Sequence, residues 1–152
     1  MARKEADAVI LLSVKPQFAC AIMDGTKRVE FRRVRFLRKA RAVVVYATAP
    51  VGRVLGWFEP AFIEDGSPDA MWKKHAQVGG ITLGEYRKYY QGAKRAVVLG
   101  VGKVHRFGSG LELGDLGPAE LRPPQSFRYL NTARFPDQHA WGQRKPQADP
   151  HG

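Results

Sequence analysis

The chain has 152 residues, 44% of them apolar, and its 25 Lys and Arg against 14 Asp and Glu give a formal net charge of +11. That length and apolar share suffice for one domain with its own core, so metal or disulfide staples are not required. The single cysteine, Cys20, excludes an internal disulfide, Met1 to Asp7 mix both charges instead of forming the apolar run of a secretion signal, and no apolar stretch approaches a membrane span. The expectation is a cytoplasmic protein with a polyanionic partner.

In chain order, Val9 to Val14 is almost continuously apolar and β-branched, which predicts a strand buried on both faces. Pro16 suits a first helical turn, and Pro16 to Asp24 sets Phe18, Ala19, Ile22 and Met23 on one helical face before Gly25 supplies a stop. From Lys27 to Arg33 the pattern alternates, with Val29 and Phe31 on one side and Arg28, Glu30 and Arg32 on the other, which predicts a half-buried strand with a charged face. Ala42 to Thr48 reads as a second buried strand ended by Pro50, and Gly52 to Phe62 as another that Gly56 and Pro60 bend.

Two short helices are expected next, over Pro68 to Ala76 and Thr82 to Tyr90, the second with a capping box between Thr82 and Glu85. Trp72 and the tyrosines of this region read as packing, although they also offer a surface for a protein partner. Ala96 to Phe107 predicts a long strand bent at Gly100 and Gly102; Gly100-Val101-Gly102-Lys103 lacks the length and the Ser or Thr of a phosphate loop. A loop follows from Gly108 to Arg122, then a last ordered segment from Gln125 to Leu130. Beyond Asn131 the chain loses periodicity. The division is therefore an N-terminal tail over 1–7, one domain over 8–130 and a mobile tail over 131–152. Strands joined by both helices and turns, with glycines where a sheet must curl, predict an α+β fold: a small, partly closed mixed β-barrel of about five to six strands flanked by short helices.

The charge is concentrated. Between Lys27 and Arg41 lie Lys27, Arg28, Arg32, Arg33, Arg35, Arg38, Lys39 and Arg41 against one acid, Glu30. Such a stretch suits a nucleic-acid backbone; its strand-like alternation lacks the bulky apolar helix face that a membrane surface needs. After the turn at Gly25, Lys27 has a stem long enough to swing its ammonium toward Glu30 and Lys15 around one concavity. The plainer alternative is a solvated edge strand whose charges pair across the sheet.

Leu12-Ser13-Val14-Lys15-Pro16, a short helix, and then Gly25-Thr26-Lys27-Arg28-Val29-Glu30-Phe31-Arg32 resemble the opening of the ASCH domain family, whose signature is Gly-x-Lys-x-x-Glu-x-Arg. Tyr46-Ala47-Thr48-Ala49-Pro50 with Gly56, and Pro123-Pro124-Gln125-Ser126-Phe127-Arg128-Tyr129-Leu130, continue the resemblance, which covers residues 8 to 130. It implies a PUA-like β-barrel whose cleft is lined by Lys27, Glu30 and Arg32 with Lys15 at the rim. Ser13, Tyr46, Thr48, Ser126 and Arg128 are further implied contacts, Tyr46 as a ring to stack on a base and Arg128 as a bidentate phosphate grip. The expected partner is RNA, single-stranded nucleic acid, or a free nucleotide or modified base. Lys27, Glu30 and Arg32 form the specific pocket, and Arg28, Arg33, Arg35, Arg38 and Lys39 guide the backbone.

The resemblance also implies a second possibility, a hydrolase. Small relatives act as acetylcytidine amidohydrolases with a lysine at the place of Lys27 and a distant glutamate, and a ribonuclease activity belongs to the family as well; Lys27 and Glu30 are then the catalytic candidates. This chain is longer than those amidohydrolases and has Glu30 where they carry threonine. Glu59, Glu64 and Glu85 are candidates for the distant acid, indistinguishable here from surface residues. No cofactor is expected. His75, His105, His139 and His151 lack the spacing of a metal site, so none is expected either, and each reads as a surface or tail residue.

Overall fold

Ala8–Val14 forms the first strand, β1, and every one of its residues is buried. Alternate side chains serve different cores. Ile10, Leu12 and Val14 join Ala19, Ile22 and Met23 of helix α1 (Pro16–Asp24), while Val9 and Leu11 pack with Val44, Val54, Trp57 and Leu116. Helix α1 begins at Pro16, whose missing N–H is no loss in a first turn, and ends at Gly25 in the left-handed region, φ 88°. The Asp24 carboxylate then accepts hydrogen bonds from the Thr26 hydroxyl and backbone N–H, at 2.7 and 2.9 Å, which fix the exit and hold its pKa below the usual value. In this computed structural model residues 8–116 and 121–130 are described; the tails expected over 1–7 and 131–152, with His139 and His151, lie outside them.

The remaining elements are β2 (Val29–Arg32), β3 (Ala40–Ala47), β4 (Arg53–Gly66), α2 (Pro68–His75), α3 (Leu83–Tyr89), β5 (Ala96–Leu111) and β6 (Phe127–Leu130). Ser67 caps α2 by accepting from the Ala70 N–H, and the capping box expected between Thr82 and Glu85 opens α3. The strands form one sheet in the order β2-β5-β4-β3-β1-β6, in which β1 and β3 run parallel and all other neighbours antiparallel. Val29 and Phe31 of β2 face Met71, Tyr86 and Tyr90 beneath α2 and α3.

Two expectations need correction. The sheet is not a closed barrel: β2 and β6 are its margins, with no backbone ladder between them. Nor is β2 half-exposed, since Val29, Glu30 and Phe31 are all buried and only Arg32 reaches partial exposure. Its charged face is turned inward, because that face lies along the gap between the two margins.

The curl comes from β4 and β5. Their pairing shifts register on both sides of Pro60, which has no N–H to give a ladder. A Cβ at Gly102 would stand 2.3 Å from the Glu59 carbonyl oxygen, and one at Gly100 2.4 Å from the Phe62 ring, so the glycines expected to bend the strand permit close approach there. At Gly56 a Cβ would meet the His105 carbonyl at 2.3 Å and Met23 Sδ at 2.7 Å. Gly56→Ala should therefore cost about 2 kcal/mol through overpacking. In urea melts this lowers the midpoint at unchanged slope; an unmoved midpoint would contradict the packing described.

Candidate functional site

The turn after α1 delivers Lys27 into the interior. Its N–H bonds to the Ala21 carbonyl at 3.0 Å, and the neighbouring Arg28 N–H to the Val78 carbonyl at 2.7 Å, so the segment ending in Gly79 and Gly80 is laid over it. The Lys27 stem packs against the Gly80 backbone, and its Nζ stands 5.1 Å from the Phe18 ring centre and 5.2 Å from that of Phe31. Its ammonium donates to the Gly79 carbonyl and lies 3.6 Å from Glu30 Oε1, with the residue only 1% exposed. Burial pushes the Lys27 pKa down, and the Glu30 charge and hydrogen bond, with a smaller contribution from Glu85, only partly oppose it.

Glu30 is shared. Its Oε2 accepts from Arg32 Nη1 at 3.3 Å, so one buried carboxylate sits between an ammonium and a guanidinium. Arg32 then extends across the open margin of the sheet: Nη1 donates to the Ser13 carbonyl at 3.2 Å and Nη2 to Ser126 Oγ at 2.7 Å. Its Nε is buried without an acceptor among the described residues. The receiving side is firm, because Ser13 N–H bonds to the Ser126 carbonyl at 2.9 Å and Ser13 Oγ donates to the Pro124 carbonyl at 2.6 Å. Behind β2, the Tyr90 hydroxyl donates to the Arg32 carbonyl at 2.8 Å, and burial raises the Tyr90 pKa.

Lys27, Glu30 and Arg32 therefore converge, joined by Ser126 and Ser13. The other sequence candidates are distributed around them. Lys15 is exposed at the N-terminus of α1, and Arg128 is exposed on β6 opposite Leu11. Thr48 is half-buried and its N–H bonds to the Val14 carbonyl at 3.0 Å. Tyr46 lies beside Ser13 in the β1–β3 ladder, but its ring packs in the core cluster with Val44 and Trp57 instead of standing open. Arg28, Arg33, Arg35, Arg38 and Lys39 are all exposed.

None of the three glutamates proposed as a distant acid touches Lys27. Glu59 lies 3.3 Å from His105, Glu64 binds Lys74 and His75 at 2.6 and 3.1 Å, and Glu85 closes the α3 capping box. His75, expected at the surface, is buried and stacked on Phe62, and His105 lies flat on Trp57 with ring centres 3.9 Å apart. Among the described residues no group of three or more His, Cys, Asp or Glu is placed to hold a metal ion. A recess of about 400 Å³ lies between α2 and α3, lined by Trp72, Leu83, Tyr86, Arg87 and Tyr90 among others. Tyr86 and Tyr90 pack on Val29 and Phe31, so this recess is across β2 from the carboxylate. Sequence reasoning missed Phe18 and the Gly79 carbonyl as Lys27 partners; the Gly79-Gly80 pair signalled a turn but not what it would cover.

No protein-family model matches the chain. It is 31% identical over 131 residues to a protein of Zymomonas mobilis subsp. mobilis named ASCH domain-containing ribonuclease, covering 84% of this chain and 85% of the relative. It is also 28% identical over 128 residues to large ribosomal subunit protein uL22 of Ureaplasma parvum serovar 3, where the match takes in 84% of this chain but only 40% of the relative's length. Among solved structures, the crystal structure of ASCH from Zymomonas mobilis superposes with a TM-score of 0.74 at 27% identity, covering 88% of this chain and 92% of that one.

Glu30→Gln should cost about 3 kcal/mol, since it leaves a buried ammonium and guanidinium without their shared counter-charge. The same variant should drive the Lys27 pKa lower still, read from its Nζ resonance by NMR titration; an unchanged pKa would mean that Glu30 is not its partner.

The depressed Lys27 pKa also sets a pH dependence. Between that lowered pKa and the ordinary lysine value of 10.5 the unfolded chain binds more protons than the folded one, so this group makes stability rise with pH across the window. Lys27→Met should remove that rise. Identical pH profiles of wild type and variant in chemical denaturation would contradict it.

Proposed function

The chain belongs to the ASCH domain family, and on that premise we propose that it binds RNA through the cations that surround the Arg32–Ser126 junction. One observation carries this reading. Glu30, the sole acid among residues 27–41, is buried and taken up by Lys27 and Arg32, while Arg28, Arg33, Arg35, Arg38 and Lys39 remain exposed. A field of one sign beside a fixed polar seam suits a ribose-phosphate chain.

In this reading the exposed arginines and Lys39 guide the backbone, with Lys15 and Arg128 at the rim. Arg32 is the specific contact, because it is the partly exposed member of the ionic trio and its plane is fixed by Ser13 and Ser126. Ser126 and Thr48 supply hydroxyls nearby, and Lys27 and Glu30 act by positioning Arg32. Tyr46 supports the end of the sheet from the core. The fold is PUA-like in this account, with a cleft at the open margin instead of inside a closed barrel.

A second reading is favoured by the Zymomonas mobilis relative, which is named a ribonuclease. Cleavage by attack of the ribose 2′-hydroxyl on its own phosphate needs a base, an acid and a cation on the phosphorane. Arg32 is suited to the last role. Lys27, whose burial lowers its pKa, has the chemistry of a proton-transfer group only while it stays out of water, so this reading needs the substrate to take the place of the Gly79-Gly80 cover. Acetylcytidine hydrolysis with Lys27 as the reacting amine gains no support from an ammonium held on Gly79 and Glu30.

Binding of a labelled single-stranded RNA should fall steeply with salt. The double substitution Arg33→Gln and Arg35→Gln should make the log–log slope shallower by about 1.4, two contacts at about 0.7 each. No affinity at low salt, or affinity without a salt slope, would reject the proposal. Product that accumulates with wild type and not with Lys27→Ala would move the assignment from binding to cleavage.

A further inference from the structure

Residues 33–39, between β2 and β3, carry a feature that phosphate guidance does not use. Leu37 is 90% exposed, whereas no other large apolar side chain among the described residues exceeds 52%, the value for Val34 in the same loop. Burying it against the nearby core would be favourable, yet the loop does not fold it back. Here it is held out. Phe36 is buried in the main core cluster and meets the Phe127 ring edge-on, with centres 4.5 Å apart. The Tyr129 hydroxyl accepts hydrogen bonds from the N–H groups of Leu37 and Arg38, at 2.9 and 3.2 Å. The Arg38 guanidinium lies 5.1 Å above the Tyr129 ring. Anchored before, at and after Leu37, the loop presents a rigid apolar tip between the exposed cations Arg33, Arg35, Arg38 and Lys39.

Resting on the RNA-binding reading above, we infer that Leu37, backed by Val34, is a wedge that inserts between stacked bases, and that the preferred ligand is RNA with a helical end or junction. The physical requirements of a wedge are those met here. Prying a base off its neighbour costs free energy, so the intruding side chain must stand on backbone that yields less readily than the stack. Its neighbours must hold the phosphates on either side while the stack opens, and the flanking cations have that charge. Leu37 lies five positions beyond Arg32, a span of at most about 18 Å. A strand unstacked at Leu37 is therefore delivered within a few nucleotides of the Arg32–Ser126 seam. Anionic lipid is the competing partner for a basic loop with an apolar tip, but one leucine and one valine offer far less apolar area than the helix face such anchoring uses. The Tyr129 clamp also fixes the tip more tightly than immersion in a fluid phase requires.

The test uses an RNA hairpin with 2-aminopurine in its terminal pair beside a short overhang, and an unstructured RNA of equal length. Wild type and Leu37→Met should raise the fluorescence on binding, and Leu37→Ser should lose most of that rise. The serine variant should bind the hairpin about tenfold more weakly, as expected for the lost burial of most of a leucine side chain, and the unstructured strand within twofold of wild type. An unchanged rise and unchanged hairpin affinity in Leu37→Ser overturn the wedge and leave the binding reading standing. Sedimentation with phosphatidylserine vesicles that Leu37→Ser abolishes, while both RNA readouts stay unchanged, overturns it in favour of lipid. Absence of any RNA binding by wild type overturns the binding reading itself.

Discussion

A single carboxylate, that of Glu30, organises this end of the molecule. Removing it from water is costly, and only the two cations it faces make that position tenable. Each cation then fastens a different part of the chain. Lys27 ties the turn after α1 to the Gly79 carbonyl and so holds the segment leading into α3 against the strand; Arg32 crosses to Ser13 and Ser126 and holds the C-terminal end of β1 beside the entry to β6. The three side chains do for the open side of the sheet what a backbone ladder does elsewhere.

The same interaction shapes the outer surface. With the one acid of the basic stretch enclosed, nothing in residues 27–41 offsets the exposed arginines and Lys39, and the field they generate is directed at whatever approaches the seam. Interior pairing and exterior charge are thus two consequences of the order Lys27, Glu30, Arg32. Lys27 and Glu30 are buried, while the Arg32 guanidinium is partly exposed and most of the loop beyond it stands in solvent.

Much of the architecture was legible in the sequence because local patterns agreed with their tertiary setting. Pro16 and Gly25 bracket α1, Thr82 and Glu85 open α3, and the unbroken apolar run of β1 announces a strand covered on both faces. Glu30 and Arg32 share a face by alternation along the strand, whereas Lys27 has the parity of Val29 and Phe31, and its place beside them followed from the family signature and from the reach of its stem after the turn at Gly25. Closure of the sheet was misjudged, since strand periodicity carries no information about which edges meet. The charged face of β2 was expected outside for a related reason: alternation separates two faces but does not say which is the wet one, and here three ionic groups satisfy one another well enough to be enclosed. The burial of His75 and Tyr46 depends on Phe62 and Trp57 of β4, contacts between elements that the periodicity of a single element does not reveal.

The margins of the sheet meet at one guanidinium. Two neighbouring strands separate only by breaking a row of hydrogen bonds together, whereas the Arg32 end of β2 parts from Ser13 and Ser126 by releasing two, with each strand still paired to its inner neighbour. Along this line the two margins are joined through side chains instead of a ladder, and rotation of that one guanidinium would release both contacts together.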